Sequence, residues 1–184
     1  MKHLSALIMI LLFASTYAQN NYKKLWEDVE KHEKNGLPKR ALDVVKTIET
    51  LSKKNKDNDQ FIKTLFFKSK YALILEEDAQ LSIINDFKTE ITNSQSPIKN
   101  VLQNLLADLY WQYFNQNRYK FYNRTKTESK VDNEDFRTWD LETLFTQTQT
   151  LFNQSLEDES VLKTTPINQF EAIILLAENS QTYR

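Results

Sequence analysis

Pro97-Ile-Lys-Asn-Val-Leu-Gln-Asn-Leu-Leu-Ala-Asp-Leu-Tyr-Trp-Gln-Tyr-Phe-Asn-Gln-Asn-Arg-Tyr-Lys-Phe-Tyr122 is the stretch that decides the fold. Ile98, Val101, Leu102, Leu105, Leu106, Leu109, Tyr110, Tyr113 and Phe114 recur at steps of three and four. That spacing puts them on one broad face of an α-helix. Ser96 stands where a helix cap is expected, and Pro97 where a missing N–H costs nothing. A face this apolar cannot remain in water, so other helices must cover it. Its aromatic end, Tyr110-Trp111-Gln112-Tyr113-Phe114, calls for apolar cover of its own.

Outward from this stretch the chain reads as further helices. Tyr22, Leu25, Trp26 and Val29 mark a first, closed by Asn35-Gly36 with Gly36 as its C-terminal cap. Pro38 opens a second, with Ala41, Val44, Val45, Ile48 and Leu51 inward and Lys53-Lys54-Asn55-Lys56 at its negative pole. Asp57 or Asp59 starts a third, whose inner residues are expected to be Phe61, Ile62, Leu65, Phe66, Ala72 and Leu73. Glu76-Glu77-Asp78 interrupts, and a fourth carries Leu81, Ile84, Phe87 and Ile91.

Beyond the quoted helix, residues 123–136 are polar and loop-like. Thr138 is then expected to cap a sixth helix with Leu141, Leu144, Phe145, Leu151 and Phe152 inward. Thr165-Pro166 leads into a last short segment with Phe170, Ile173, Ile174 and Leu176. Trp26 to Ala41 has the spacing of a tetratricopeptide-type repeat, and Ala79 follows Ala41 by 38 residues, an approximate period. The expected class is all-α: antiparallel helical hairpins in a tetratricopeptide-like array of about six to seven helices.

Composition narrows the function. One Gly and three Pro are too few for the turns of a β-sandwich or an α/β protein. A formal net charge of −1 gives no basic field for nucleic acid. The absence of cysteine excludes disulfides, thiolate metal sites, cysteine nucleophiles and a lipid-modified cysteine. Met1–Ala18 has the layout of a secretory signal: Lys2 and His3, the apolar run Leu4–Phe13, then Ala14-Ser15-Thr16-Tyr17-Ala18. Its apolar run is too short to span a bilayer. Cleavage after Ala18 would remove one of the 24 basic residues and none of the 25 acidic ones. The expected organisation is a signal peptide at 1–18 and one helical amino-terminal domain at 19–184. The end at Thr182-Tyr183-Arg184 has no closing pattern and reads as part of a longer multidomain protein.

Chemistry-bearing patterns are few. Arg118, Lys120, Arg124 and Lys126 alternate with Tyr119, Phe121 and Tyr122, a mixture that nucleic-acid sites also use. The acids Glu128, Asp132, Glu134 and Asp135 that follow favour a solvated helix end with inward aromatics. Glu76-Glu77-Asp78 lacks the glycine turn and alternating oxygens of a calcium loop. His32, alone among Lys31 and Glu33, makes neither a metal site nor a triad and is expected to be exposed. Asn123-Arg124-Thr125 and Asn153-Gln154-Ser155 fit the short glycosylation pattern. No catalytic residue, cofactor or metal ligand is assigned, and no enzyme activity is expected.

Several segments together resemble the amino-terminal region of alpha-2-macroglobulin family proteins of Bacteroidetes bacteria. They include Leu25-Trp26-Glu27-Asp28-Val29-Glu30, residues 35–42 (NGLPKRAL), Leu75-Glu76-Glu77-Asp78 and residues 106–113 (LADLYWQY). Asn117-Arg118, Asn123-Arg124-Thr125 and Arg137-Thr138-Trp139-Asp140 complete the series. The resemblance implies an exported protein of the periplasm or cell surface. It also implies a non-catalytic domain of an endopeptidase inhibitor that traps proteases in envelope defence. The implied partners are proteins, namely downstream macroglobulin domains and, through the full-length protein, target proteases. No nucleic acid and no membrane span are implied. The family's reactive Cys–Gln thioester has no counterpart here, since the chain has no cysteine. The alternative from another class is a stand-alone secreted helical-repeat adaptor with a groove lined by aromatics and amides. The residues singled out are a structural aromatic junction: Tyr110, Trp111, Tyr113, Phe114 and Trp139. Trp139 is expected to act as a plug on the end of the long helix, with Arg137 and Asp140 pairing at its rim.

Overall fold

The computed structural model describes residues 21–122 and 134–174, and these are helical with no strand among them. The signal-like segment, Asn123 to Asn133 and residues 175–184 lie outside the described residues, as do the expectations that fall on them. The chain divides into two compact units, Met1–Leu75 and Glu76–Arg184, each with its own core.

The first unit is built from three helices: α1 (residues 21–34), α2 (Pro38–Asn55) and α3 (Asn58–Leu75). Gly36 ends α1 at φ 67°, the left-handed conformation that a side chain would oppose. This lets the Leu37 N–H reach the His32 carbonyl and the Gly36 N–H reach that of Glu33, both at 2.9 Å. Pro38 then begins α2 where no intrahelical donor is needed. Tyr22, Val29, Ala41, Val45, Ile48 and Tyr71 form the core, with Trp26 and Phe67 packed against it.

The inner face of α3 departs from expectation. Phe66 and Leu73 are 41% and 58% exposed, while Thr64 and Tyr71 are buried beside Phe61, Ile62 and Leu65. Within residues 61–75 the polar Lys63, Thr64, Lys68, Ser69 and Lys70 are scattered around the helix, so periodicity alone selects no face. Polar satisfaction does: Thr64 donates to the Phe61 carbonyl at 2.6 Å, and Tyr71 donates to Glu33 Oε1 at 2.7 Å.

The second unit is organised around α5 (Ile98–Gln116), which packs against α4 (Ala79–Asn93) and α7 (Leu141–Ser155). Between α5 and α7 come the short α6 (Arg118–Tyr122) and a 3-10 turn, Phe136–Thr138. After α7 come α8 (Glu159–Thr164) and a second 3-10 turn, Ile167–Phe170. These short pieces take the described residues to eight α-helices. The long helix stops at Asn117, whose side-chain amide donates to the Tyr113 carbonyl at 2.9 Å, and the chain restarts as α6.

Three local expectations are corrected. Ser96 does not cap α5; Pro97 holds the cap position, and the buried Ser96 hydroxyl has no partner among the described residues. Thr138 does not cap α7. Asp140, in extended conformation, does so by accepting the Thr143 N–H at 2.7 Å. Arg137 consequently pairs with Asp135 at 2.8 Å and Asp78 at 2.6 Å instead of with Asp140.

α7 runs back along α5. Asn100, near the start of α5, donates to the Ser155 and Glu157 carbonyls at 3.3 and 2.9 Å, at the far end of α7. Carbonyls at and just past a helix end lack intrahelical donors, so a buried amide there ties α5 to the end of α7. Asn100 and Gln103 interrupt the apolar stripe and are each 4% exposed.

Candidate functional site

The aromatic junction forms where α5 ends. Tyr110, Tyr113, Phe114 and Trp139 are 1%, 8%, 8% and 4% exposed, whereas Trp111 is 44% exposed. The Trp139 ring lies 5.4 Å from that of Tyr110, and Phe136 lies 5.5 Å from Tyr110 and 4.7 Å from Tyr113. Phe114 meets Phe121 of α6 at 5.7 Å and Phe145 of α7 at 4.9 Å. Trp111 stays at the surface, its ring tilted against those of Phe114 and Phe145. Tilted and edge-on rings at these distances attract beyond simple burial. Four of the five singled-out residues are therefore interior, and Trp111 is a rim residue. Phe136 and Phe121 belong to the same cluster. The signal for Phe121 was its place opposite the exposed Tyr119 in the basic-aromatic run, and Phe136 closed the polar loop as its last apolar residue.

The 3-10 turn that presents Phe136 and Trp139 is held by charge. Asp135 accepts the Arg137 backbone N–H and two guanidinium N–H groups, at 2.8–3.0 Å. The guanidinium beside Asp135 holds its carboxyl below the usual range, and the same pairing pushes Arg137 up.

Beside the junction opens a slot of about 420 Å³. One wall is α7, through Thr143, Gln147 and Leu151; Leu106 and Tyr110 of α5 line it too. Lys88 of α4 and Trp139 complete the lining, and the Lys88 ammonium lies 5.6 Å from the Trp139 ring centroid. Tyr110 makes no hydrogen bond among the described residues, and burial pushes its phenol up, well away from ionisation. The slot thus has apolar surfaces, one cation and a phenol hydroxyl with no partner among the described residues. Such a constellation can bind and orient; it holds no nucleophile–base pair. Lys88, Thr143 and Gln147 carried no local signature in the sequence, since each is an ordinary helical residue until α5 and α7 bring them together.

The remaining candidates lie elsewhere. Among the described residues no group of His, Asp and Glu is placed to hold a metal ion. Asp78 is engaged by Arg137, and Glu76 and Glu77 are exposed. His32 is half-buried on α1, not fully exposed as expected. Arg118, Tyr119 and Lys120 are exposed, Phe121 is buried, and Arg124 and Lys126 lie outside the described residues. Of the two glycosylation patterns, Asn153 is exposed on α7, but Ser155 is 7% exposed and donates to the Phe152 carbonyl. Asn123 lies outside the described residues. Among the described residues no helix is long and apolar enough to cross a membrane. No protein-family model, curated protein or solved structure matches the chain.

Proposed function

We propose that the chain is a non-catalytic helical domain of an exported alpha-2-macroglobulin-like endopeptidase inhibitor, with its helices arranged as a tetratricopeptide-like array of hairpins. The observation that carries this reading is the ordered series of segments from Leu25 to Asp140. The use of its most distinctive residues is in keeping with it. Within that series, Trp26, Tyr110, Tyr113 and Trp139 pack against other rings in the interior of their units or at its edge. The series then preserves a scaffold, and protease trapping belongs to the protein of which the scaffold is part. Its partners are downstream macroglobulin domains and, through them, target proteases in the periplasm or at the cell surface. The test is the reading frame after the codon for Arg184. A continuous frame encoding β-sandwich domains supports the proposal, and an immediate stop codon overturns it.

A second reading is a stand-alone secreted adaptor that binds proteins or peptides. The slot beside Trp139 favours it, because Lys88, Thr143 and Gln147 line an opening with Tyr110 and Trp139 at its floor. It is tested by pull-down of envelope proteins with the wild-type chain and with Gln147→Ala. Equal capture by both would count against the groove.

A further inference from the structure

The slot has two chemically distinct ends. At one, Lys88 stands over the Trp139 ring and Tyr110 brings a hydroxyl with no partner among the described residues. One helical turn away on α5, Leu106 joins Leu151 in an apolar stretch. Asp86 and Glu90 flank Lys88 at two residues on either side, positions that do not share its face of α4. From α7, Thr143 and Gln147 line the same wall one turn apart. Asp140 is occupied as the α7 cap, and Arg137 by Asp135 and Asp78.

The spacing of the two ends selects the occupant. Leu106 and Tyr110 are four residues apart, so they are separated by about 6 Å along α5. Side chains on one face of an extended chain recur every second residue, at about 6.6 Å. The two spacings match. A hydrocarbon tail would leave Thr143 and Gln147 facing apolar groups, whereas a peptide backbone offers both carbonyls and N–H groups to them. A lone lysine gives too little charge to track a nucleic-acid backbone.

We propose that this slot binds an extended peptide carrying an acidic and an apolar side chain two residues apart. The carboxylate meets Lys88 and the Tyr110 hydroxyl, and the apolar side chain lies against Leu106 and Leu151. Trp139 is the floor under the ion pair, where partial removal from water strengthens it. This deepens the adaptor reading and rests on it for a peptide as occupant.

Isothermal titration of the full chain tests it, with the probe acetyl-Ser-Leu-Thr-Glu-Ser-amide. The peptide binds, and replacing its Glu by Gln weakens binding by about tenfold or more, as for a charged hydrogen bond lost. Lys88→Gln produces the same loss toward the Glu peptide and little further loss toward the Gln peptide, so the two changes are non-additive. Tyr110→Phe weakens the Glu peptide by about 3–10-fold. An unchanged thermal midpoint in both variants separates binding from folding. Equal binding of the Glu and Gln peptides overturns the proposed specificity and leaves the adaptor reading standing. No binding of either peptide overturns both. Octanoate displacing the peptide at equal concentration assigns the slot to small amphiphiles and also overturns the proposal.

Discussion

Each unit packs a tryptophan into an aromatic cluster with a lysine over its ring, and the two clusters differ in how their polar tips are met. In the first unit the polar tips are satisfied internally. Trp26 Nε1 donates to Gln60 at 2.8 Å, Tyr22 to Asp57 at 2.5 Å and Tyr71 to Glu33 at 2.7 Å, with Lys63 over the Trp26 ring. In the second, Tyr110 has no such partner among the described residues, and it lines an open slot together with Lys88 and Trp139. A hydroxyl without a protein partner is tolerated where water or a ligand can meet it. The first cluster bonds its polar tips within the protein, and the second leaves a hydroxyl facing an open slot.

The largest way to sharpen this contrast is to remove the tryptophans. Trp139→Ala leaves a cavity against Tyr110 and Phe136 and should destabilise by ~3–5 kcal/mol. Trp26→Ala should cost less, because that ring is only half-buried. Urea denaturation of each variant reads the difference. A Trp139→Ala midpoint equal to wild type would contradict its place in the core.

Acid should act on the closed cluster. Burial alone would raise the Glu33 carboxyl, but hydrogen bonds from Lys70 and Tyr71 lower it overall. A carboxylate with a lowered folded pKa contributes stability that is complete above its ordinary value of 4.5. That contribution fades as pH falls below 4.5 through the lowered folded value. Glu33→Gln should therefore flatten the acid limb of the stability profile in that window, measured by thermal unfolding between pH 6 and pH 2. An unchanged acid limb would show that the Lys70–Glu33–Tyr71 contacts do not hold in solution.

At the small end, Lys163 and Glu159 pair across one turn of α8 with both side chains 73% exposed. Exposed pairs of this kind contribute ~0–1 kcal/mol. Glu159→Gln should leave the urea midpoint within error, and a clear drop would mean that α8 is more tightly coupled to the core than its exposure implies.

The helical class and the α5 stripe were legible because Ile98, Leu102, Leu106, Tyr110, Tyr113 and Phe114 repeat at helical spacing in a chain with one glycine. Gly36 was legible as well, since a left-handed C-cap favours one residue type. The inward face of α3 was not, because its polar residues Lys63, Thr64, Lys68, Ser69 and Lys70 are spread around the helix and leave no directional pattern. Thr138 and Asp140 are both good capping residues, and only the backbone shape before α7 selects the second. The slot was illegible for a different reason. Lys88, Tyr110 and Gln147 lie far apart in sequence, and nothing local to any of them signals that the fold brings them together.

The contrast between a closed and an open cluster is tested most directly by one matched pair of deletions. Tyr71→Phe and Tyr110→Phe each remove a single hydroxyl from a tyrosine that is 1% exposed. Urea denaturation of both variants should show Tyr71→Phe destabilised by ~1–3 kcal/mol, since the hydroxyl bonds a carboxylate. Tyr110→Phe should match wild type within ~0.5 kcal/mol or exceed it, because no bond among the described residues is lost. Equal losses in the two variants, or a larger loss for Tyr110→Phe, would contradict the account.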